Sequence, residues 1–261
     1  MITIDLTGKV ALVIGGSRGI GAGIVKTFAD AGAAVAFTHT GNPAYAAQLG
    51  ALLDEQRADG HLVTAFACDA QNSKETQNVV DQVLKLYGKI DILVANVGKN
   101  IARSVEATTD EDWIQSVDIN LSSTFYAVRA VIRPMLDAGG GRIFLIGSSA
   151  AFDGGGGSLD YAAMKAALAG MMRYLMKNYS SKKILTNVIH PCVIETDLLK
   201  VRYSDSEKKK QLISQVPVGR LGTPDDIGRL AAFLASDFGD FICGQEILVD
   251  GGRTFFRPAG T

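Results

Sequence analysis

Cysteine is scarce in this 261-residue chain, and what little there is does not pair: Cys68, Cys192 and Cys243 are odd in number and widely spaced. Neither a disulfide framework nor a zinc pair is indicated. His39, His61 and His190 show no ligand spacing either, so no metal site is expected. Charge of one sign is missing, because 26 basic against 27 acidic residues leave a net of −1. That gives no electrostatic case for nucleic acid or an anionic membrane. No apolar run reaches the ~20 residues that span a bilayer. With acidic Asp5 and no basic leader, the start does not read as a secretory signal. These absences lead us to expect a soluble cytoplasmic protein without metal.

What is abundant is glycine, 29 residues, inside a chain that is 47% hydrophobic. Strand-like runs (10–14, 34–38, 62–67, 90–95, 142–146, 184–189, 246–249) alternate with helical patterns near 19–31, 43–58, 73–87, 110–137, 159–179 and 224–235. Alternation of this kind calls for a parallel sheet covered on both faces. No linker rich in Pro, Ser or charge interrupts it, so we expect one domain over 1–261. A long excursion at about 197–216 suggests a substrate lid, and 253–261 forms a tail. Lys208 to Lys210 follow Asp205 and Glu207, and read as a solvated helix face.

Ligands of such sheets bind beyond the carboxyl ends of the strands, where strand order reverses. After the first strand comes Gly15-Gly-Ser17-Arg18-Gly19-Ile20-Gly21, leading into a helix. Glycines there allow a tight turn and close backbone approach to a phosphate, which the helix N-terminus attracts. No Lys-Ser or Lys-Thr ends the loop, so it is not a Walker site. An acid that would hold an NAD ribose is absent from the end of the second strand, Phe37-Thr38-His39-Thr40-Gly41. Arg18 suits a 2′-phosphate, with Thr38, Thr40 and His39 nearby, so NADP(H) is expected over NAD(H).

Asp160-Tyr161-Ala-Ala-Met-Lys165 places a phenol and an ammonium on one helical face. A fixed positive charge lowers a phenol pKa from about 10 toward the range useful for proton transfer. Ser148 stands thirteen residues before Tyr161.

From Gly8 to Gly252 these motifs together resemble the short-chain dehydrogenase/reductase family, and its 3-oxoacyl-carrier-protein reductase-like branch in particular. The resemblance implies an α/β single-domain Rossmann fold, a doubly wound seven-stranded parallel sheet with helices on both faces. It implies a catalytic set of Asn120, Ser148, Tyr161 and Lys165. Ser148 and Tyr161 would hold the substrate oxygen, Tyr161 would pass the proton, and Lys165 would lower the phenol pKa and hold the nicotinamide ribose. Asn120 would place a relay water. Asp69, with Ala70 beside it, would face the adenine; Asn96 would steady the sheet and Gly98 admit the ribose. Pro191, Val193, Ile194 and Thr196 would cradle the nicotinamide. A homotetramer (or homodimer) follows by the same resemblance, with helices 110–137 and 159–179 at one interface.

Four residues depart from the family pattern: Ile14 where a bracing threonine is usual, Ala95 and Val97 in an Asn-Asn-Ala-Gly element that is only half kept, and Cys192 where glycine is usual. A cysteine there would be strained if its φ were positive. The expected activity is interconversion of a ketone, 3-oxoacyl or other, with a secondary alcohol. A nucleotide-bound scaffold without turnover, or another enzyme class such as a methyltransferase, are the alternatives.

Overall fold

The computed structural model describes residues 3–42, 51–52, 54–55, 60–196 and 206–255. Seven parallel strands form one sheet in the order β3-β2-β1-β4-β5-β6-β7. They are β1 Val10–Ile14, β2 Ala34–His39, β3 Val63–Ala67, β4 Ile92–Ala95, β5 Gly141–Ile146, β6 Ile184–Pro191 and β7 Glu246–Val249. The central ones are apolar along their whole length because helices cover both faces. Val10 to Ile14 are all buried.

One face carries α1 (Gly19–Asp30) and α8 (Pro224–Ala235), whose Ile24, Phe28, Ile227 and Leu234 pack on Val13, Phe37 and Val94. The other carries α2 (Ser73–Tyr87), α4 (Ser123–Asp137) and α6 (Leu159–Tyr179), which pack on Leu12, Leu93 and Leu145. Helix α8 starts as its sequence dictates. Thr223 and Asp226 form a reciprocal capping box with proline at the first turn. Three shorter helices, α3 (Asp110–Val117), α5 (Ala150–Asp153) and α7 (Ser206–Ser214), lie at the carboxyl side of the sheet or before it.

The doubly wound sheet expected from the sequence is the one the chain forms, with strand ends shifted by at most two residues. The exception among the helices is the stretch 110–137. It is not continuous: Asp118–Ser122 forms a π-helical turn between α3 and α4. The expected helix at 43–58 lies outside the described residues except at 51–52 and 54–55, which are helical. Of the excursion at 197–216, residues 197–205 lie outside them, and so do 256–261 of the tail. Among the described residues no helix is long and apolar enough to cross a membrane, and no three His, Cys, Asp or Glu cluster.

Strand order reverses at β1, which pairs with β2 on one side and β4 on the other. The crevice at the carboxyl ends of these strands is where this architecture receives a ligand.

Candidate active site

An open cleft of about 760 Å³ lies in that crevice. Fifteen of the residues the sequence offers for cofactor or catalysis line it: Gly15, Ser17, Arg18, Gly19, Ile20, Thr38, His39, Thr40, Asp69, Ala70, Asn96, Gly98, Tyr161, Lys165 and Thr196. Gly21 sits beneath the loop, where a Cβ would stand 2.0 Å from the Gly15 carbonyl oxygen. Only glycine fits. Gly15 itself has φ +83°, and its carbonyl accepts a 2.7 Å hydrogen bond from Asn96 Nδ2. Arg18 precedes α1 in extended conformation and gives that helix no side-chain cap. The first N–H groups of a helix lack intrahelical partners, so this end suits an anion.

The brace that Ile14 does not provide comes from the neighbouring strand. Thr38 Oγ1 accepts from Gly15 N at 2.8 Å, and the Thr38 carbonyl accepts from Gly16 N at 3.0 Å. Thr38 is therefore buried and committed to the loop, whereas the sequence reading gave it to the cofactor. His39 is similarly engaged, its Nδ1 accepting from Gly41 N at 3.0 Å. Asp69 Oδ1 accepts from the Gln71 backbone at 3.0 Å and sits at the cleft wall.

Tyr161 and Lys165 project from α6 toward the end of β5. Lys165 Nζ is buried and donates to the Ile146 carbonyl at 2.9 Å. Burial lowers its pKa to about 8. The ammonium stands 5.8 Å from the centre of the Tyr161 ring. The sequence reading had Lys165 lowering the phenol pKa; here the net shift of the phenol is upward. Burial pushes it up, and a hydrogen bond with Ser148 only partly offsets that. The physical reason is desolvation, which acts on both groups against their charged forms.

Asn120 is fully buried in the π turn, and its amide is locked to one main-chain residue. Its Oδ1 accepts from Lys99 N at 3.0 Å and its Nδ2 donates to Lys99 O at 3.0 Å. A Cβ at Gly98 would lie 2.9 Å from Lys165 Nζ and 3.0 Å from Asn120 Oδ1. Both polar groups thus converge on the bare backbone of Gly98. Above them Asn100 Nδ2 donates to the Gly156 carbonyl at 2.6 Å, pinning the glycine run against the Tyr161 ring.

Pro191, Val193 and Ile194 lie behind the Thr196 edge of the cleft rather than lining it. Pro191 accepts from Ser149 N at 3.0 Å, and Ile194 bridges to Gly222. The backbone strain expected of Cys192 falls one residue later. Val193 has φ 44°, while Cys192 does not have a positive φ. A β-branched residue there is unusual and costs of order 1–3 kcal/mol. Of the two residues the sequence offers as an apolar substrate patch, Phe152 is exposed and Met164 is buried in the core.

Sequence reasoning missed Ile119 and Ile146, whose roles rest on the π turn and on a main-chain carbonyl that side-chain chemistry does not announce. Lys99 and Asn100 belong to the segment 99–105, which the sequence places at the substrate wall, and both line the cleft.

The comparisons join this geometry to known proteins. A family model described as enoyl-(acyl carrier protein) reductase matches residues 14–254. The chain belongs to the short-chain dehydrogenase/reductase family. The 3-oxoacyl-[acyl-carrier-protein] reductase FabG of Escherichia coli is 36% identical, over 95% of this chain and 98% of that protein. D-threitol dehydrogenase of Mycolicibacterium smegmatis is 36% identical, over 95% and 94%. Among solved structures, a blue fluorescent protein from a metagenomic library in complex with NADPH has a TM-score of 0.87. It is 36% identical, with 95% of this chain and 99% of that one covered. This short-chain dehydrogenase/reductase is thus of an oxidoreductase family whose named members act on ketones and alcohols.

Proposed function

We propose that this protein is an NADP(H)-dependent reductase of a ketone, 3-oxoacyl or other, running in reverse as an alcohol dehydrogenase. The observation that carries it is that Tyr161 and Lys165 together line a dinucleotide-sized cleft, with the Tyr161 hydroxyl hydrogen-bonded to Ser148 and the ammonium 5.8 Å from the centre of the phenol ring. The cleft fits the cofactor. Gly15, Gly19 and the open end of α1 suit a pyrophosphate, and the bare Gly98 backbone leaves room where a Cβ would meet Lys165. Residues 38–42 offer no carboxylate to a ribose diol, while Arg18 at the rim suits a 2′-phosphate. A relative of known structure holds NADPH.

When bound, the nicotinamide supplies a hydride to the carbonyl carbon. The chain supplies the rest. Ser148 and Tyr161 hydroxyls hold the substrate oxygen, and Tyr161 Oη gives it the proton as negative charge develops there. Lys165 places a positive charge beside the ring, which favours the phenolate left behind, and it holds the nicotinamide ribose. Asn120 keeps the Lys99 backbone and a relay water in register with Lys165. A paired hydroxyl donor set suits a carbonyl oxygen on which negative charge develops before it takes the proton.

Exposed Phe125, Tyr174 and Phe241 support assembly through α4, α6 and the β7 edge, as a homotetramer or homodimer. Three unpaired cysteines suit the reducing cytoplasm. The test is a fluorescence titration with NADPH, followed by a panel of ketones read at the nicotinamide absorbance. Binding with turnover on at least one ketone supports the reading. Binding without turnover on a broad panel removes the enzyme and leaves a nucleotide-bound scaffold.

A further inference from the structure

Behind Ser148 lies a histidine that the mechanism above does not use. His190, near the end of β6, is wholly buried. Its Nδ1 stands 3.2 Å from the Ser148 main-chain nitrogen and 3.0 Å from the Ser148 carbonyl oxygen. One ring nitrogen cannot serve both. Bare, it accepts from the N–H; protonated, it donates to the carbonyl. On the far side Nε2 makes no hydrogen bond, and Glu246 Oε2 of β7 lies 3.5 Å away. The other oxygen of Glu246 accepts from Arg173 Nη2 at 2.6 Å. Phe152 meets the ring edge-on, with centroids 4.9 Å apart. A Cβ at Gly147 would stand 2.4 Å from Nδ1, so the strand end closes against the ring. The imidazole has no room to swing away.

We propose that His190 is the positioning residue of Ser148, gripping the serine main chain in one of two states that Glu246 helps to select. The proposal rests on the reductase reading of the same site. With a neutral ring, the proton sits on Nε2 facing Glu246, Nδ1 accepts from Ser148 N–H, and the serine hydroxyl stays with Tyr161. A second proton goes to Nδ1, which must then donate to the Ser148 carbonyl. The Ser148 N–H loses its acceptor, the peptide shifts, and the hydroxyl leaves the phenol. The charged groups acting on the ring are Glu246 of β7 and Lys165 of α6, with Arg173 of α6 on the outer oxygen of Glu246. Burial and Lys165 favour the neutral ring, while the Ser148 carbonyl and Glu246 oppose them; the balance lies below the ordinary histidine range. The working state is therefore the neutral one, and acid is what disturbs Ser148.

The decisive measurement is the amide shift of Ser148 against pH, by 15N NMR on the folded protein without substrate. It should titrate with one midpoint below 6.5, the ordinary histidine value. Glu246→Gln should move that midpoint lower, and His190→Asn should abolish it. In turnover, His190→Ala should lower kcat about tenfold, the scale of one hydrogen bond, with KM for NADPH unchanged. His190→Asn keeps an acceptor near the Nδ1 position, so it should recover most of that loss and lack the acid limb. A Ser148 amide that does not respond to pH in the wild type overturns the proposal. So does a wild-type kcat and pH profile in His190→Ala. Should His190→Ala fail to fold, Glu246→Gln, which leaves the ring in place, carries the test through its shifted midpoint. Absence of NADPH turnover in the wild type would sink the reductase reading, while the amide titration would still decide the histidine.

Discussion

Thr38→Val isolates the bond that holds the glycine loop open. Thr38 lies one residue beyond the Val13–Phe37 pair of the β1–β2 ladder, and its hydroxyl meets Gly15 N at 2.8 Å. Valine keeps the shape and removes the acceptor, leaving the Gly15 N–H against a methyl group. An orphaned buried donor costs about 1–3 kcal/mol. At roughly 2–4 °C per kcal/mol for a chain of this size, the middle of that range is about 4–8 °C in Tm. The same loss loosens the turn where the phosphate is expected, so Kd for NADPH should rise about tenfold. Thr38→Ser is the control, since it keeps the oxygen and deletes only a methyl. Thermal melts and NADPH fluorescence read both effects. Should Thr38→Val match the wild type in both, or Thr38→Ser fall as far, the hydroxyl is not the brace and the argument fails.

Tyr161→Phe should retain NADPH binding and lose at least about a hundredfold in kcat, the scale of a general acid; near-normal turnover would remove Tyr161 from the chemistry. Arg18→Ala should raise KM for NADPH about tenfold or more while leaving NADH unchanged, if the guanidinium holds the 2′-phosphate as proposed; equal effects on both cofactors would contradict it. Lys165 titrates near 8 in the fold against 10.5 unfolded, so the unfolded chain binds more protons between these values. Stability of the cofactor-free protein should therefore rise with pH from about 8 to 9.5, by no more than about 2 kcal/mol. Lys165→Met should flatten that slope in denaturant titrations at several pH values. Above pH 10 the raised phenol pKa of Tyr161 works the other way, because the unfolded tyrosine ionises first.

Strand alternation, the capped start of α8, the glycine turn and the Tyr161–Lys165 pair were legible because each is written within a few residues. Periodicity, turn chemistry and helical spacing act at that range, and they place the sheet and its ligand crevice. The chain alone therefore determined the fold class, the family and the neighbourhood of the site. What it left undecided depends on residues far apart in sequence. The hydroxyl bracing Gly15 comes from 23 positions away. The π turn around Asn120 accompanies bonds to Lys99, 21 positions earlier. His190 reaches Ser148 across 42. The pKa values moved for a related reason: desolvation belongs to the packing around Tyr161 and Lys165, and no spacing along the chain encodes how dry that packing is.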